Sequence, residues 1–573
     1  MSEKRRKLFP YGISNMQRMA TGNYVFVDKT HFVEQLENED SSFLVFLRPR
    51  RFGKSLFVSL LEYYYDVSYK EKFATIFSEY YIGKNPTKSA NSYRVLTFDF
   101  SGIDTRTNES TYEGFLTAIK SQVSAFCETI NMQSEVKKVL LAQNMPEAVI
   151  RDLFFHYPNT EPPIYLLIDE YDHFTNEILM RSMTDFKNSV TKNGFVRKFY
   201  ETIKTATRMG VVERIFITGV SPMTLDGLTS GFNITTNLTL SPKYHDMMGF
   251  SEQVVRDLLG LVLKDKSREE QVTETMRVFY NGYKFHKNCG RLYNSDMVLY
   301  FLKHFADENK YPEEILDENI APDYGKLMAI FERLNWTDNS AVLEEVLRNE
   351  EITAPLLRQF NFMSDDWGIS EFVSFLFYLG NLTIKGENEV GELTFKIPNK
   401  VIEELYWQYY AVVLKRKNDL PLTRDKVMPS VRALAMGNHE PFFALVQEAL
   451  KHLSNRDFQG FDEKYVKMLV IAYAVQSEIF FVQTERETSA GQYIDLEFLA
   501  QPKNREKRHF QYVFEFKYLK KEKAHLAEEA QKEAEMQLRS YLATDENLKN
   551  IPKLRAFTVL VVKDELVLKE LLP

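Results

Sequence analysis

The chain has 573 residues, of which 44% are hydrophobic and 27% charged, and its 72 Lys and Arg against 80 Asp and Glu give a net charge of −8. This is the composition of an ordinary globular protein, so a disordered, collagen-like or low-complexity chain is excluded. At about 150 residues per domain, the length predicts three or four domains. The mild acidity does not exclude a nucleic-acid partner, because such binding depends on a local basic groove.

The compartment is predicted from the cysteines and the hydropathy pattern. Cys127 and Cys289 are the only cysteines, too few and too far apart for a disulfide framework or a thiolate zinc cluster, which favours a reducing compartment. Residues 1–10 lack the apolar core of a secretory signal, and no run of about 18 apolar residues occurs. We therefore expect a cytoplasmic protein without a membrane partner.

The first 240 residues alternate short apolar runs with amphipathic stretches, which predicts a parallel sheet buried on both faces. The predicted strands are Phe43–Leu47, Arg94–Phe100, Ile164–Ile168 and Arg214–Val220. From Gly249 the pattern changes to helices, with Ser251 placed to cap the first of them, and this segment is predicted to form a helical lid.

Two further segments follow the lid. The third segment is predicted to contain a helix, a two-stranded hairpin and a second helix, at 369–379, 382–397 and 400–414. That order is compatible with a small winged-helix module or with a plain connector. The last segment, from about Ser430, is predicted to begin with helices and to continue with strands at 493–500 and 512–517, a charged helix at 521–543 and a strand at 556–562.

A phosphate-binding motif, Arg48-Pro-Arg-Arg-Phe-Gly-Lys-Ser55, lies between the first strand and an amphipathic helix. In a P-loop, backbone N–H groups at the helix start cradle phosphates, the lysine reaches the β and γ groups, and the hydroxyl binds Mg²⁺. The residues expected to bind nucleotide are Arg51, Phe52, Gly53, Lys54 and Ser55, with Ser55 also a metal ligand. Either Arg50 or Arg51 is expected to touch phosphate or an acid, and the other to face solvent. The general pattern has glycine in place of Arg48, so a surface Gly-Lys-Ser segment is the alternative.

A second motif, Ile164-Tyr-Leu-Leu-Ile-Asp169-Glu170, ends an apolar strand with two acids. Asp169 is expected to hold Mg²⁺ through water, and Glu170 to polarise an attacking water, as in glutamate-using ATPases. The strand Arg94–Phe100, between the two motifs in the chain, is interpreted as the inserted strand of that class. Asp99 and Asp172 also lie near strand ends, where acids commonly serve as caps.

The fourth strand ends in Thr218-Gly-Val-Ser221, where such ATPases place a sensor of the γ-phosphate. Thr218 is expected to contact nucleotide, with Ser221 as the other candidate. An ordinary hydroxyl at a strand end is the alternative for both residues. No arginine can be nominated from spacing as one that a neighbouring subunit would supply.

Five motifs in order together resemble the bacterial AAA-ATPase-like family over about residues 6–300. They are Tyr24–Thr30, Arg48–Ser55, Ile168–Asp172, Thr218–Ser221 and Phe279–Phe285. The family carries Arg-Pro-Arg-Arg-Phe-Gly-Lys-Ser as its own P-loop, so Arg48 departs only from the general pattern. The resemblance implies ATP and Mg²⁺ as cofactors. AAA-like sites often borrow an arginine from a neighbouring subunit, so a homo-oligomer stays open.

A second constellation lies near the carboxyl end, with Asp495 in one predicted strand and Glu515-Phe-Lys517 in the next. Residues two apart on a strand face the same side, so Glu515 and Lys517 project together and Asp495 can join them. Asp495 and Glu515 are expected to bind Mg²⁺, which lowers the pKa of a bound water, and Lys517 to orient that water or stabilise charge on phosphate. A half-exposed edge strand is the alternative.

This pattern resembles the PD-(D/E)xK nuclease superfamily, in the version fused behind AAA-ATPase-like domains. In that version a following helix carries Gln-x3-Tyr, matched here by Gln537 and Tyr541, whose spacing puts both on one helix face. An acid before the strands often completes such a site, and Glu463 and Glu478 are both candidates. The loop between the strands carries basic residues that either contact nucleic-acid phosphates or line a solvated hairpin, namely Lys503, Arg505, Lys507 and Arg508.

The predicted fold class is α/β: a P-loop NTPase parallel sheet with a helical lid, a small mixed connector and a carboxy-terminal α/β domain like a restriction endonuclease. The predicted domains are 1–248, 249–345, 346–429 and 430–573. The predicted function is an ATPase whose nucleotide state controls a Mg²⁺-dependent nuclease acting on DNA or RNA, in genome defence or mobile-element control. The alternative is a regulatory ATP-binding switch with an inactive nuclease-like domain that binds a partner.

Overall fold

The computed structural model describes residues 7–315, 339–361, 368–418, 420, 423–453, 461–502 and 509–571. The described chain forms two compact units. The first contains residues 7–309 and 353–400, and the second contains residues 310–315, 340–352 and 401–571. The predicted domain boundaries stay predictions.

The strands of the described residues are β1 (Phe43–Leu47), β2 (Arg94–Asp99), β3 (Ile164–Asp169), β4 (Val212–Gly219), β5 (Thr236–Asn237), β6 (Ile352–Thr353), β7 (Thr383–Glu387), β8 (Leu393–Lys396), β9 (Phe480–Glu487), β10 (Tyr493–Ala500), β11 (Gln511–Leu519), β12 (Leu554–Val562) and β13 (Glu565–Leu571). The α-helices up to residue 308 are Met16–Thr21, His31–Glu37, Lys54–Tyr65, Phe73–Phe77, Tyr81–Lys84, Asn108–Thr129, Ser134–Ala142, Pro146–Phe155, His173–Arg181, Met183–Val190, Phe195–Arg208, Met223–Leu228, Glu252–Gly260, Glu269–Tyr280 and Ser295–Glu308. Those that follow are Asn339–Asn349, Ile369–Tyr378, Lys400–Asn418, Arg424–Ala435, Glu440–His452, Glu463–Ala474, Ala527–Thr544 and Glu546–Lys549.

The first unit is built on a parallel sheet with the strand order β2-β3-β4-β1-β5. Every residue of β3 is buried, as the continuous apolar run predicts for a strand covered on both faces. Strand β4 lies between β1 and β3, whereas β2 is first in the strand order. The interpretation of Arg94–Phe100 as the inserted strand is therefore wrong, because β4 is the strand inserted between the P-loop strand β1 and strand β3.

This strand order determines where the first candidate site forms. The carboxyl ends of parallel strands meet at one edge of a sheet, so the segments that follow β1 and β3 approach each other there. Gly53 has a φ of +93° and begins the helix Lys54–Tyr65 directly after the loop. Glycine adopts this left-handed conformation at little cost, so the loop can turn sharply into the helix.

The helices after Gly249 and the hairpin of the third segment form as predicted. Ser251 caps the helix Glu252–Gly260, with its hydroxyl accepting from the backbone N–H of Val254. Strands β7 and β8 pair in antiparallel fashion after the helix Ile369–Tyr378. Of the predicted third segment, this helix and hairpin belong to the first unit, and nearly all of the helix Lys400–Asn418 belongs to the second.

The second unit contains a mixed sheet with the strand order β13-β12-β11-β10-β9. Strands β11 and β12 are parallel, which requires a crossover connection, and the helix Ala527–Thr544 supplies it. Leu538 and Tyr541 of this helix pack against Ile494 and Val513 of the sheet. Strand β10 has the predicted bounds, whereas β9 and β13 were not predicted.

Candidate functional site

The P-loop opens onto a cleft of about 410 Å³ in the first unit. Six residues from the two predicted motifs line it: Arg50, Arg51, Gly53, Lys54, Ser55 and Glu170. The structure therefore brings the loop after β1 and the acid after β3 to one place. A cleft with this lining has the cationic side chains and the helix N-terminus that a polyphosphate requires.

Lys54 is only 4% exposed, and its ammonium group lies between two oxygens. Its Nζ donates to the carbonyl oxygen of Pro49 at 3.3 Å and lies 3.4 Å from Oε1 of Glu170. The lysine thus joins the loop to the acid of the second motif. Glu170 has a φ of +49°, an uncommon backbone conformation for a residue other than glycine.

The two acids of the second motif have opposite pKa shifts. Burial, reinforced by the charge of Glu170, raises the pKa of Asp169 to about 6, and the Ser55 hydroxyl partly opposes this. Burial would also raise the pKa of Glu170, but the neighbouring charges, that of Lys54 foremost and that of Arg50 with it, outweigh burial and hold that pKa below its ordinary value. Glu170 is therefore ionised at neutral pH. Its Oε2 is buried, without a hydrogen-bond partner among the described residues.

Arg48 is a structural residue, which explains why this loop lacks the first glycine of the general pattern. The side chain is 1% exposed and is held between two aromatic rings, with 4.1 Å to each centroid, those of Phe46 and Phe285. Its guanidinium donates at 2.9, 2.9 and 3.0 Å to three backbone carbonyl oxygens, those of Leu47, Thr239 and His245. Burial lowers the pKa of Arg48 to about 9.

The next two arginines both line the cleft and are partly buried, and the expectation that one of them faces solvent stays a prediction. Nη1 of Arg51 donates to Oδ2 of Asp296 at 3.0 Å, and Nη2 of Arg50 lies 3.2 Å from Nδ1 of His173. The Ser295 hydroxyl also donates to the carbonyl oxygen of Arg51, at 3.2 Å. The start of the helix Ser295–Glu308 therefore holds the P-loop, a contact that spacing did not indicate.

Two residues predicted to bind nucleotide have side chains outside the cleft lining. Phe52 packs edge-on against Tyr283 and Phe285, which leaves only its backbone to face a phosphate. Thr218 is fully buried in β4, and its hydroxyl has no hydrogen-bond partner among the described residues.

Other polar residues near the strand ends have structural partners. Asp172 accepts from the backbone N–H groups of Val220 and Ser221 at 2.9 and 2.7 Å. The Ser221 hydroxyl donates to Oδ1 of Asn176 at 3.1 Å. Asp99 is exposed and accepts from the N–H of Ser101. These contacts account for Asp172 and Ser221 as residues that hold the loops after β3 and β4 together.

In the second unit, the predicted carboxylates and lysine converge on neighbouring strands. Leu496 of β10 pairs with Phe514 of β11, which places Asp495 beside Glu515. Oδ2 of Asp495 accepts from the N–H of Phe516 at 2.8 Å, and Nζ of Lys517 donates to Oε1 of Glu515 at 3.3 Å. The other oxygen of Glu515 is buried and has no hydrogen-bond partner among the described residues.

The acids of this cluster raise one another's pKa. Burial and the charge of Asp495 raise the pKa of Glu515, and burial raises the pKa of Asp495. Burial and the charge of Asp495 also raise the pKa of Glu463 to about 7. Glu463 is the first residue of the helix Glu463–Ala474 and interacts with this cluster, whereas Glu478 is exposed in the turn before β9.

Tyr541 interacts with the carboxylates, and Gln537 lies one turn before it on the helix Ala527–Thr544. Tyr541 is buried, and the charges of Glu515 and Asp495 add to burial in raising its pKa. Oε1 of Gln537 is buried and has no hydrogen-bond partner among the described residues. The basic residues from 503 to 508, Lys503, Arg505, Lys507 and Arg508, lie outside the described residues.

Sequence reasoning missed Lys467 and Glu485, which form an ion pair beside Asp495, with Lys467 buried and Glu485 partly exposed. The only signal in the sequence was that Lys467 follows Glu463 by four residues and so shares its helix face. Glu485 has a φ of +45° within β9. The side chain of Lys467 thus compensates part of the negative charge that four neighbouring acids bring together.

The carboxyl groups of this cluster are the candidate ligands for the predicted metal ion. In the described ranges no three His, Cys, Asp or Glu side chains form a ready-made metal site. Carboxylate oxygens are nevertheless the ligands that Mg²⁺ prefers, one oxygen of Glu515 is unpartnered, and Glu515 interacts electrostatically with the carboxyl groups of Asp495 and Glu463. The residues therefore fit a divalent cation, with Asp495 and Glu515 as the groups that would hold it.

The first unit has a five-stranded parallel sheet with a P-loop, the fold of a P-loop NTPase. The second unit has a mixed sheet that carries an Asp…Glu-x-Lys cluster. The chain as a whole is an α/β protein. Comparison with known families agrees. Residues 10–229 match the family described as "Predicted AAA-ATPase", and residues 461–571 match the PD-(D/E)XK nuclease superfamily. Both resemblances predicted from the motifs are confirmed.

Individual relatives are distant. The chain is 24% identical over 317 residues to an uncharacterized protein in the vnfD 5′ region of Azotobacter chroococcum, covering 52% of this chain and 52% of that protein. The chain thus spans about half the length of the curated relative it matches. The Walker-type ATPase PABY2304 of Pyrococcus abyssi is 12% identical, covering 70% of this chain and 99% of that one, with a TM-score of 0.38. The ORC2 protein of Aeropyrum pernix is 11% identical, covering 69% and 98%, with a TM-score of 0.32.

One further finding concerns membranes. Over the part of the chain that the structure describes, no helix combines the length and the apolar character needed to cross a bilayer.

Proposed function

We propose that this chain hydrolyses ATP and that its nucleotide state controls a metal-dependent phosphodiesterase acting on DNA or RNA. The observation that carries the proposal is the convergence of Asp495, Glu515 and Lys517 on adjacent strands, on the same chain as a P-loop cleft that contains an ionised Glu170. A role in genome defence or in the control of mobile elements fits a nucleotide-gated nuclease. The cytoplasm is the proposed location, because both thiols, Cys127 and Cys289, are free.

In the first unit, the cleft would bind the triphosphate of ATP. Lys54 would leave the Glu170 carboxylate and move to the β and γ phosphates, since phosphate oxygens offer it more negative charge than one carboxylate does. That move frees Glu170 to accept a hydrogen bond from the attacking water. Ser55 and Asp169 are the residues that would hold the Mg²⁺ that accompanies ATP.

In the second unit, Asp495 and Glu515 would hold a divalent cation, which when bound supplies a water of lowered pKa and neutralises charge on the phosphate. Lys517 lies next to Glu515 and can donate to that phosphate or hold the attacking water. Tyr541 would orient the carboxylates from the helix Ala527–Thr544, and the unpartnered Oε1 of Gln537 on the same helix face would be available to the metal-bound water or the substrate. Glu463 supplies a further carboxyl group at the edge of the cluster.

One observation favours a second candidate, a regulatory ATP-binding switch whose nuclease-like domain binds without cutting. The raised pKa values of Glu515 and Glu463 keep these carboxyl groups partly protonated near neutral pH, and Lys517 neutralises Glu515 further. A cluster with so little net charge would hold a partner without any metal. Metal binding measured by calorimetry separates the two, because only the nuclease loses a metal site in Asp495→Ala.

The test is cleavage of labelled single- and double-stranded DNA and RNA with Mg²⁺ or Mn²⁺, with and without ATP. Wild type is compared with Lys517→Ala and Lys54→Ala, and with Lys549→Ala and Lys138→Ala as controls, since these two lysines are on the surface. Cutting that is lost in Lys517→Ala and altered in Lys54→Ala supports a nucleotide-gated nuclease. ATP hydrolysis without any cutting by wild type favours the regulatory switch.

A further inference from the structure

Arg50 occupies a distinctive place in the P-loop cleft. It lies four residues before Lys54 and lines the same cleft as Lys54, Ser55 and Glu170. Nη2 of its guanidinium is 3.2 Å from Nδ1 of His173. His173 in turn lies beside Glu170, with 3.8 Å between Nδ1 and Oε2. The arginine and the acid that would polarise water are therefore on the same side of the cleft.

The neighbouring Arg51 has a different role. Its guanidinium forms an ion pair at 3.0 Å with Asp296, whose side chain is only 16% exposed, and its backbone carbonyl accepts from Ser295. Arg51 therefore binds the helix Ser295–Glu308 to the loop. Of the two arginines, Arg50 is the one directed to the side formed by Glu170 and His173.

ATP hydrolysis develops negative charge that a cation in the cleft can stabilise. The water oxygen forms a bond to the γ-phosphorus as the bond from that phosphorus to the β–γ bridging oxygen breaks, and ADP leaves with the electron pair. Glu170 takes the proton that the water loses. Negative charge on the equatorial oxygens and the leaving oxygen must be stabilised while this happens, and an arginine is the usual group for it.

We propose that Arg50 supplies this cation in cis, so that each chain hydrolyses ATP without an arginine from a neighbouring subunit. The inference rests on the proposed ATPase function and adds the catalytic residue that spacing in the sequence did not nominate. Arg50 keeps its own proton throughout and acts by charge and hydrogen bonding. His173 holds the guanidinium next to Glu170, because its Nδ1 accepts from Arg50.

The first experiment compares kcat and ATP affinity in the full-length chain for Arg50→Ala, Arg50→Lys and wild type. We expect kcat to fall by about a thousandfold in Arg50→Ala, while binding of a fluorescent ATP analogue changes less than tenfold. Arg50→Lys should recover part of the rate, because it restores the charge but not the planar fork. Arg106→Ala is the matched control, since that arginine's side chain is 88% exposed in the same unit, and it should keep the wild-type rate.

The second experiment mixes Arg50→Ala with Lys54→Ala. If the arginine acted in trans, the Lys54→Ala chain would lend its Arg50 to the intact P-loop of its neighbour and the mixture would regain activity. We expect no recovery, and a wild-type rate per molecule that does not depend on protein concentration. Recovery in the mixture, or a normal kcat for Arg50→Ala, overturns the inference about Arg50 and leaves the proposed ATPase function standing. A wild-type chain that neither binds nor hydrolyses ATP overturns the proposed function as well.

Discussion

The substitution Arg48→Gly restores the general P-loop pattern, and the structure predicts that it destabilises the first unit. Three buried carbonyl oxygens lose their donor, at about 1–2 kcal/mol each, and removal of the side chain from between two rings leaves a cavity that costs about 2 kcal/mol. Part of this loss, on the order of 3–5 kcal/mol, is offset because the variant no longer buries a cation whose pKa burial lowers to about 9. We expect a net loss of about 3 kcal/mol.

A loss of that size corresponds to a fall in the unfolding midpoint of about 4 °C for a unit of this size. Scanning calorimetry of the full-length chain measures it, and the transition that ATP shifts identifies the first unit. Arg48→Met should lose less than Arg48→Gly, because it fills the space between the rings and leaves only the carbonyls without partners. An Arg48→Gly chain as stable as wild type, with unchanged or tighter ATP binding, would refute the structural role of this arginine.

Three further predictions concern particular contacts. Glu463→Gln should stabilise the metal-free chain at pH 8 and have little effect near pH 4. The pKa of Glu463 is raised to about 7, so the folded state loses stability as the pH rises from the ordinary glutamate value to about 7. Urea midpoints at the two pH values measure this, and equal shifts would contradict it. Arg486→Leu should cost about 3–5 kcal/mol, since it leaves Glu497 and Asp545 buried without their ion pair, and a urea midpoint like that of wild type would disprove the estimate. Gly282→Ala should lower the thermal midpoint, because φ is +107° and a Cβ would lie 1.8 Å from a backbone oxygen; an unchanged midpoint would show that the backbone adjusts.

The parts of the fold that could be predicted are those where local pattern and burial agree. Strand β3 is buried throughout and apolar up to Asp169, and β10 alternates clearly enough to have its bounds predicted. Strand β9 was missed because its second half, from Thr484 to Glu487, is polar and only half buried. Strand β13 alternates exposed and half-buried residues, as an edge strand does, and this pattern alone does not distinguish it from a solvated segment.

The residues that form the candidate sites could be predicted, but the contacts that these residues make could not. The role of Arg48 depends on carbonyl groups almost two hundred residues away in the chain, and no local pattern records them. The choice between Glu463 and Glu478 depends on where a helix begins and which way its first turn faces. The order of the motifs along the chain does not determine the order of the strands in the sheet, so the position of β4 between β1 and β3 could not be predicted.

The backbone of Glu170 has a consequence for how such a chain changes over time. A glutamate at a φ of +49° is strained by about 1 kcal/mol relative to asparagine or glycine, which adopt this conformation readily. Substitution by asparagine or glycine relieves that strain, but it also leaves the buried Lys54 without its ion pair, which costs about 3–5 kcal/mol in an empty cleft. A lineage that no longer requires ATP turnover would therefore still keep an acid at this position for stability, unless a bound nucleotide took over the pairing of Lys54.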